Sequence, residues 1–272
     1  MRQETMETEW GTDHYVLMEA TEIPAVIDRG YSDMRRKDDR WCGGTFERLR
    51  HCAQHGDESA VTESERFLSE IEDQVPMSLG WRNVDDVVGA IPNVPAFLAG
   101  HPQCMRRRER ATKDTAPLTI FIDLTSGAEI DSRKVARRGI AALALVRQLV
   151  EHRAVTLWAG VAQDVGSGSG TVAWRIETAP MDLARAAYLV ASPNVARRFG
   201  YGLNSAVNRA GGGWPFRDSR LGARTAQQRL ERLLGGEVLH VAPLHNNDPM
   251  ADRPVEWLKG VMHKYVNTKE ED

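Results

Sequence analysis

Residues 118–124, Leu-Thr-Ile-Phe-Ile-Asp-Leu, constrain the fold more than any other stretch of this chain. The run is apolar and β-branched, follows Pro117 at a place where a strand tolerates proline, and ends in a carboxylate. Successive side chains point to opposite faces of a strand. A strand that is apolar on both sides therefore needs cover on both faces, which in practice means a parallel or mostly parallel α/β sheet. The next segment agrees. Val135, Ala142, Leu143, Val146, Leu149 and Val150 recur at three- and four-residue spacing, a core-facing helical stripe between Ser132, its expected cap, and His152. Residues 155–161 read as a second strand, completing a βαβ unit. Arg133, Lys134, Arg137 and Arg138 fall in the first turns of that helix, where its dipole disfavours positive charge, so something other than helix stability holds them there.

Residues 171–177 alternate as a half-buried strand should, and the Gly-Ser-Gly-Ser-Gly at 166–170 reads as the loop of a hairpin. That loop lacks the Lys-Ser/Thr ending of a P-loop. With 238–244 as a last core strand, the runs 118–124, 155–161, 171–177 and 238–244 are expected in one sheet. Asp182 is suited to cap a helix over 183–191, and Ser192-Pro193 to start another with Val195, Phe199 and Leu203 inward. Ser219 opens a helix to Leu234, and 254–265 form a closing helix.

Upstream the pattern is weaker. Residues 14–20 suit a short helix, and 23–27 an extended connector, because Pro24 pushes its predecessor out of the helical region. Thr45 caps a helix to Gln54 closed by His55-Gly56, and Thr62-Glu63-Ser64-Glu65 is a capping box opening a helix to Gln74. Pro76, Pro92, Pro95, Pro102 and Pro117 leave 76–117 irregular. The expected organisation is a mainly helical, partly irregular N-terminal extension over 1–115 packed on an α/β core domain at 116–272, whose mostly parallel central sheet is flanked by helices.

The formal charge of −3 is uneven. Residues 1–117 carry 15 Lys and Arg against 22 Asp and Glu, a net of −7, and 118–272 carry 20 against 16, a net of +4. Nearly all the positive charge is arginine, which favours bidentate contacts to phosphate or carboxylate. Basic residues beside aromatics, Tyr31, Arg35, Arg36, Arg40 and Trp41, together with Arg106, Arg107 and Arg108, Arg197 and Arg198, and Arg217, Arg220, Arg224 and Arg229, are the candidate nucleic-acid contacts. Ion-paired loops and solvated linkers are the bland alternative for the same residues. His51 and His55 have the i,i+4 spacing of a two-histidine metal site, without a third ligand nearby in sequence. No GxSxG, GxGxxG or P-loop marks an enzyme. Cys42, Cys52 and Cys104, an odd number without a CxxC, are expected reduced. No apolar run approaches the roughly 20 residues of a membrane helix, so no membrane contact is expected and a cytoplasmic location is.

The apolar strand ending in Asp123-Leu124-Thr125-Ser126-Gly127, followed by a long helix, a strand, a hairpin, helices and a final strand-helix pair, resembles a von Willebrand factor A domain, a Rossmann-like fold, over about residues 116–266. The resemblance implies a metal-ion-dependent adhesion site in an Asp-x-Ser-x-Ser motif, with Asp123 in the first position and Thr125 in place of the first serine. Gly127 stands where the second serine belongs. No cofactor is therefore expected beyond weakly bound Mg²⁺ or Ca²⁺ on Asp123 and Thr125. Asp248 and Asp252 are topologically placed for the later ligand. A second likeness covers residues 23–45, from Ile23-Pro24-Ala25-Val26 to Gly43-Gly44-Thr45, which resemble uncharacterised proteins of tailed bacteriophages. It implies the cytoplasm of an infected bacterium. The resulting expectation is a non-enzymatic phage accessory protein that binds nucleic acid, single-stranded DNA in particular, and a phage or host protein such as a polymerase, in transcription or replication. The alternatives are a von Willebrand factor A-type protein-interaction scaffold with a degenerate metal site, and a metal-dependent enzyme.

Overall fold

The computed structural model of the chain describes residues 1–8, 11–30, 32–35, 38–62, 65–66, 69, 81–89, 91–110, 117–127, 129–150, 153–165, 168–210, 231–245 and 247–266. Its strands, in chain order, are β1 (Arg2–Thr8), β2 (Gly11–Glu19), β3 (Trp81–Asp86), β4 (Ile91–Pro92), β5 (Met105–Arg110), β6 (Leu118–Asp123), β7 (Val155–Val165), β8 (Gly168–Ile176) and β9 (Glu237–Val241). Six of them form one sheet in the order β1-β2-β8-β7-β6-β9. The apolar run at 118–124 supplies β6, which lies between β7 and β9 and is parallel to both, with Leu118 opposite Val155 on one side and Glu237 on the other. The helix Ser132–Val150 carries the chain from β6 to β7, and β7 turns back into β8 as an antiparallel hairpin. All four strands expected in one sheet are there.

Both faces of β6 are covered, as its composition requires. Leu118, Ile120 and Ile122 join the main core beneath the helices, while Phe121 packs on the opposite face with Tyr15, Leu17, Ala173 and Val238. Helix Ser132–Val150 sits close against helix Leu183–Ala191: a Cβ on Gly139 would lie 2.4 Å from the Cα of Ala191, so only glycine fits that crossing. Local capping chemistry accounts for several helix starts. Thr45 Oγ1 accepts from Arg48 N (3.1 Å) at the head of helix Phe46–His55, and Asp182 Oδ1 accepts from Arg185 N (3.0 Å) at the head of Leu183–Ala191. Asp131, rather than Ser132, caps Ser132–Val150, its carboxylate accepting from Arg133 N at 2.7 Å.

The N-terminal segment departs from the sequence reading. Residues 14–20, expected to be helical, lie mostly in β2, which pairs in parallel with β8 so that Tyr15 stands opposite Thr171. Tyr15, Val16, Leu17 and Met18 are all buried, Tyr15 and Leu17 on one face and Val16 and Met18 on the other. Alternate burial on two opposite faces is the signature of a strand covered on both sides. Residues 23–27, expected as a connector, lie in the helix Ile23–Asp28, with Pro24 in the first turn where its missing N–H costs nothing. Ile23, Val26, Ile27 and Leu49 belong to the main core, so β1, β2 and the helices Ile23–Asp28 and Phe46–His55 are part of the α/β unit built on β6. The basic run 106–110, expected as a linker or arm, is β5, the middle strand of a separate three-stranded antiparallel sheet, β3-β5-β4. The helix expected from Thr62 is already formed at 58–62, and most of its expected remainder to Gln74 lies outside the described residues. So does most of the helix expected from Ser219, of which 231–234 are helical. No helix among the described residues is long and apolar enough to cross a membrane.

Candidate functional site

The carboxyl ends of β6 and β9 meet at a buried polar cluster, the position at which parallel α/β sheets place ligands. Asp123 closes β6 and its Oδ1 accepts from Thr125 N at 2.9 Å. Thr125 Oγ1 both donates to Ala162 O (3.0 Å) and accepts from Ala162 N (2.9 Å), tying the loop after β6 to β7. Tyr201, from the helix Tyr201–Ala210, closes the loop from above: its hydroxyl accepts from Ser126 N and donates to Ser126 O, both at 3.0 Å. Burial pushes the Tyr201 phenol up to about 12.

Arg138 organises the other side. Its Nη1 donates to Asp123 O (2.7 Å), its Nη2 to Val241 O (3.2 Å) and to Ala242 O, and its Nε lies 3.5 Å from Asp248 Oδ2. This accounts for one of the basic residues in the first turns of helix Ser132–Val150: the guanidinium gathers the carbonyl ends of two parallel strands. Lys134 accounts for another, pairing with Asp252 at 3.0 Å. Burial lowers the pKa of Arg138, and the Asp248 and Asp123 carboxylates oppose that shift. His240, on β9, places Nε2 3.9 Å from Asp123 Oδ2 and packs its ring on Phe121.

These groups do not fit the divalent ion that Asp123 and Thr125 were expected to hold. Thr125 Oγ1 has spent both its donor and an acceptor site on Ala162, and Gly127 has no side-chain oxygen. Asp248 is committed to Arg138 and to the amides of Met250 and Ala251, and Asp252 to Lys134. A buried guanidinium bonded to the same loop would repel a second cation. Among the described residues no group of three or more His, Cys, Asp or Glu is placed to hold a metal ion. His51 and His55 are exposed, with ring centroids 4.9 Å apart.

The candidate nucleic-acid residues scatter. Arg197 and Arg198, expected on a basic surface, are 3% and 0% exposed, a correction forced by the backbone that carries them. Residues 195–200 form a π-helical segment in which Val195, Ala196, Arg197, Arg198, Phe199 and Gly200 are all buried. Arg197 donates to Trp41 O (2.8 Å) and Ile130 O. Arg198 donates to Asn194 Oδ1 (3.0 Å), Met34 O (2.8 Å), Gly44 O (3.0 Å) and the Asp39 carboxylate. Both Nη groups of each arginine, and Nε of Arg198, are thus taken up by protein acceptors. Trp41 is likewise turned inward, half-buried between Tyr201 (centroids 6.3 Å apart) and the Arg197 guanidinium, 5.3 Å from its ring. Arg106 and Arg107 are exposed and paired with Asp85 (3.1 Å) and Asp86 (2.7 Å) across β3. Arg108 is in β5 by its backbone. Arg40 is exposed on the short helix Asp39–Cys42. Arg35 is exposed too, its guanidinium 5.1 Å from the ring of Phe46, and together with Arg50, His51 and His55 it lines a cleft of about 550 Å³. Tyr31, Arg36, Arg217, Arg220, Arg224 and Arg229 lie outside the described residues.

The sequence singled out Asp123 and Thr125 but not Ser126, Tyr201 or His240 as site members. Tyr201 reaches Ser126 across 75 positions of chain, and no local pattern announces such a contact.

A family model described as a domain of unknown function (DUF7192) matches residues 8–232. No curated protein and no solved structure matches.

Proposed function

We infer that this chain, which belongs to the DUF7192 family, is a non-catalytic scaffold that binds a protein partner without a metal ion. The observation that carries this reading is an exposed apolar projection beside the three-stranded sheet. Val87, Val88, Val94, Phe97 and Leu98 are 61%, 72%, 55%, 66% and 79% exposed, five large apolar side chains within twelve residues. Among the other described residues the one exposed large apolar side chain is Met1, at 39%. Apolar side chains grouped in this way on a soluble surface mark an interaction site, and the ion pairs of Asp85 and Asp86 with Arg106 and Arg107 supply a polar surround. The sealed cluster around Arg138 supports a structural rather than chemical role for the carboxyl end of β6, since Asp123 and Thr125 are each 1% exposed. The likeness of residues 23–45 to tailed-phage proteins favours a phage or host protein as the partner.

The test is comparative capture from infected cells with the wild type and with Phe97→Asp/Leu98→Asp. Both side chains are exposed, so the variant keeps the fold by circular dichroism and loses the bound partner. Identical captures would end this reading.

A second reading, nucleic-acid binding, rests on the cleft at Arg35, where a guanidinium and two imidazoles surround the half-buried Phe46 ring. A fluorescence-anisotropy titration with single- and double-stranded oligonucleotides across a salt series decides it. Wild type binding lost in Arg35→Ala supports this reading, and no change at low salt removes it.

A further inference from the structure

The helix Phe46–His55 carries His51 and His55 one turn apart, and both line the cleft of about 550 Å³ that also holds Arg35, Phe46, Glu47 and Arg50. Residues four apart are neighbours on one helix face, so the spacing brings the two rings together. Their centroids are 4.9 Å apart and their planes are tilted by 44°. Two imidazoles bound to one ion through bonds of about 2.0–2.1 Å, at an angle of about 90–110°, would hold their ring centres about 4.5–5.2 Å apart. The observed separation falls inside that range.

The rings are also available. Both side chains are exposed, and among the described residues neither has a hydrogen-bond or ion-pair partner. Turning an exposed imidazole about χ2, a broad torsion, costs little, so their nitrogens are able to meet at one point. The surrounding charge suits a cation. His55 ends the helix, where the unsatisfied carbonyls form the negative end of the dipole. Arg50 is neutralised by Asp28, Nε to Oδ1 at 2.6 Å, and the carboxylate of Glu47 offsets Arg35. Imidazole nitrogen suits late first-row divalent ions, whereas Mg²⁺ and Ca²⁺ take oxygen ligands.

We propose that His51 and His55 chelate a transition-metal ion of the Zn²⁺ and Ni²⁺ class at the C-terminal end of this helix. Among the described residues no third His, Cys, Asp or Glu completes the set, so water fills the remaining positions and the ion is exchangeable, unlike a closed four-ligand structural zinc. The site uses none of the residues around Asp123 and none of the apolar projection near β3. Partner docking at that projection needs no ion, and either assignment stands if the other fails. Nucleic-acid binding in the same cleft is read through Arg35, metal binding through the two imidazoles.

Isothermal titration calorimetry of the full chain with ZnCl₂ and with NiCl₂, in a buffer that does not coordinate metals, tests the proposal. Saturable binding is expected with at least one of these ions and none with MgCl₂. Two rings acting together bind more tightly than either alone, so His51→Gln and His55→Gln should each weaken binding at least about tenfold. Both positions are exposed, and circular dichroism confirms that the variants keep the fold. His101→Gln, exposed and outside the cleft, should bind like the wild type. The proposal is overturned if neither ion binds, if Mg²⁺ binds equally well, if His51→Gln or His55→Gln binds like the wild type, or if His101→Gln weakens binding as much as they do.

Discussion

Arginine does opposite things in two parts of this molecule. In the α/β unit, Arg138, Arg197 and Arg198 are sunk to 3% exposure or less, and most of their donors meet backbone carbonyls: strand ends for Arg138, and loops and short helices for the other two. In the small sheet, Arg106 and Arg107 lie on the surface and meet carboxylates across an antiparallel ladder. The residue type is the same, but the desolvation cost differs. A guanidinium taken out of water depends on the protein for its acceptors, and the bonds it makes then hold the surrounding segments in place; a surface pair in water contributes little. An arginine-rich composition is therefore weak evidence for phosphate binding until burial is known.

The contrast is sharpest in stability. Arg198→Met should cost about 3–5 kcal/mol, because it leaves the carbonyls of Met34 and Gly44 and the Asn194 amide oxygen without their donor; urea unfolding measures this. A loss under about 1 kcal/mol would place Arg198 with the surface arginines and break the comparison. Tyr201 gives a somewhat smaller, pH-dependent effect. Its folded pKa of about 12 lies above the ordinary tyrosine value near 10, so the stability it contributes is fully present below pH 10 and is lost as pH rises through 12. That loss is on the order of 2–3 kcal/mol. Burial also raises Tyr188, so the alkaline loss in wild type must be compared with that in Tyr201→Phe, which should fall less steeply. The smallest effect belongs to the surface: Arg106→Ala should change unfolding free energy by less than about 1 kcal/mol, and added salt should shrink even that.

The parts of the fold that could be read from the sequence rest on local chemistry. Residues 118–124 read as a buried strand because the apolar run is short, carries β-branched residues and is entered by a proline. Thr45 and Asp182 cap helices because their side-chain oxygens reach amides three residues on. What could not be read depends on distant partners. The run Tyr15–Met18 fits a short helix or a strand equally well, and its pairing with β1 on one side and with β8, more than 150 residues away in sequence, on the other makes it a strand. Arg197 and Arg198 look solvent-facing at helical period, yet the π-helical segment Val195–Gly200 turns all six of its residues inward.

The sequence by itself therefore determined the βαβ centre, four of the six strands of its sheet and the apolar stripe of helix Ser132–Val150, because periodicity and capping act over a few residues. The tertiary structure decided which charges are buried. Whether Asp123 and Thr125 face a metal or an internal cation depends on Arg138 and Asp248, brought to the same strand ends by a helix and a loop 15 and 125 residues farther along the chain. Hydrophobic periodicity carries no information about which polar groups will meet once the sheet has assembled.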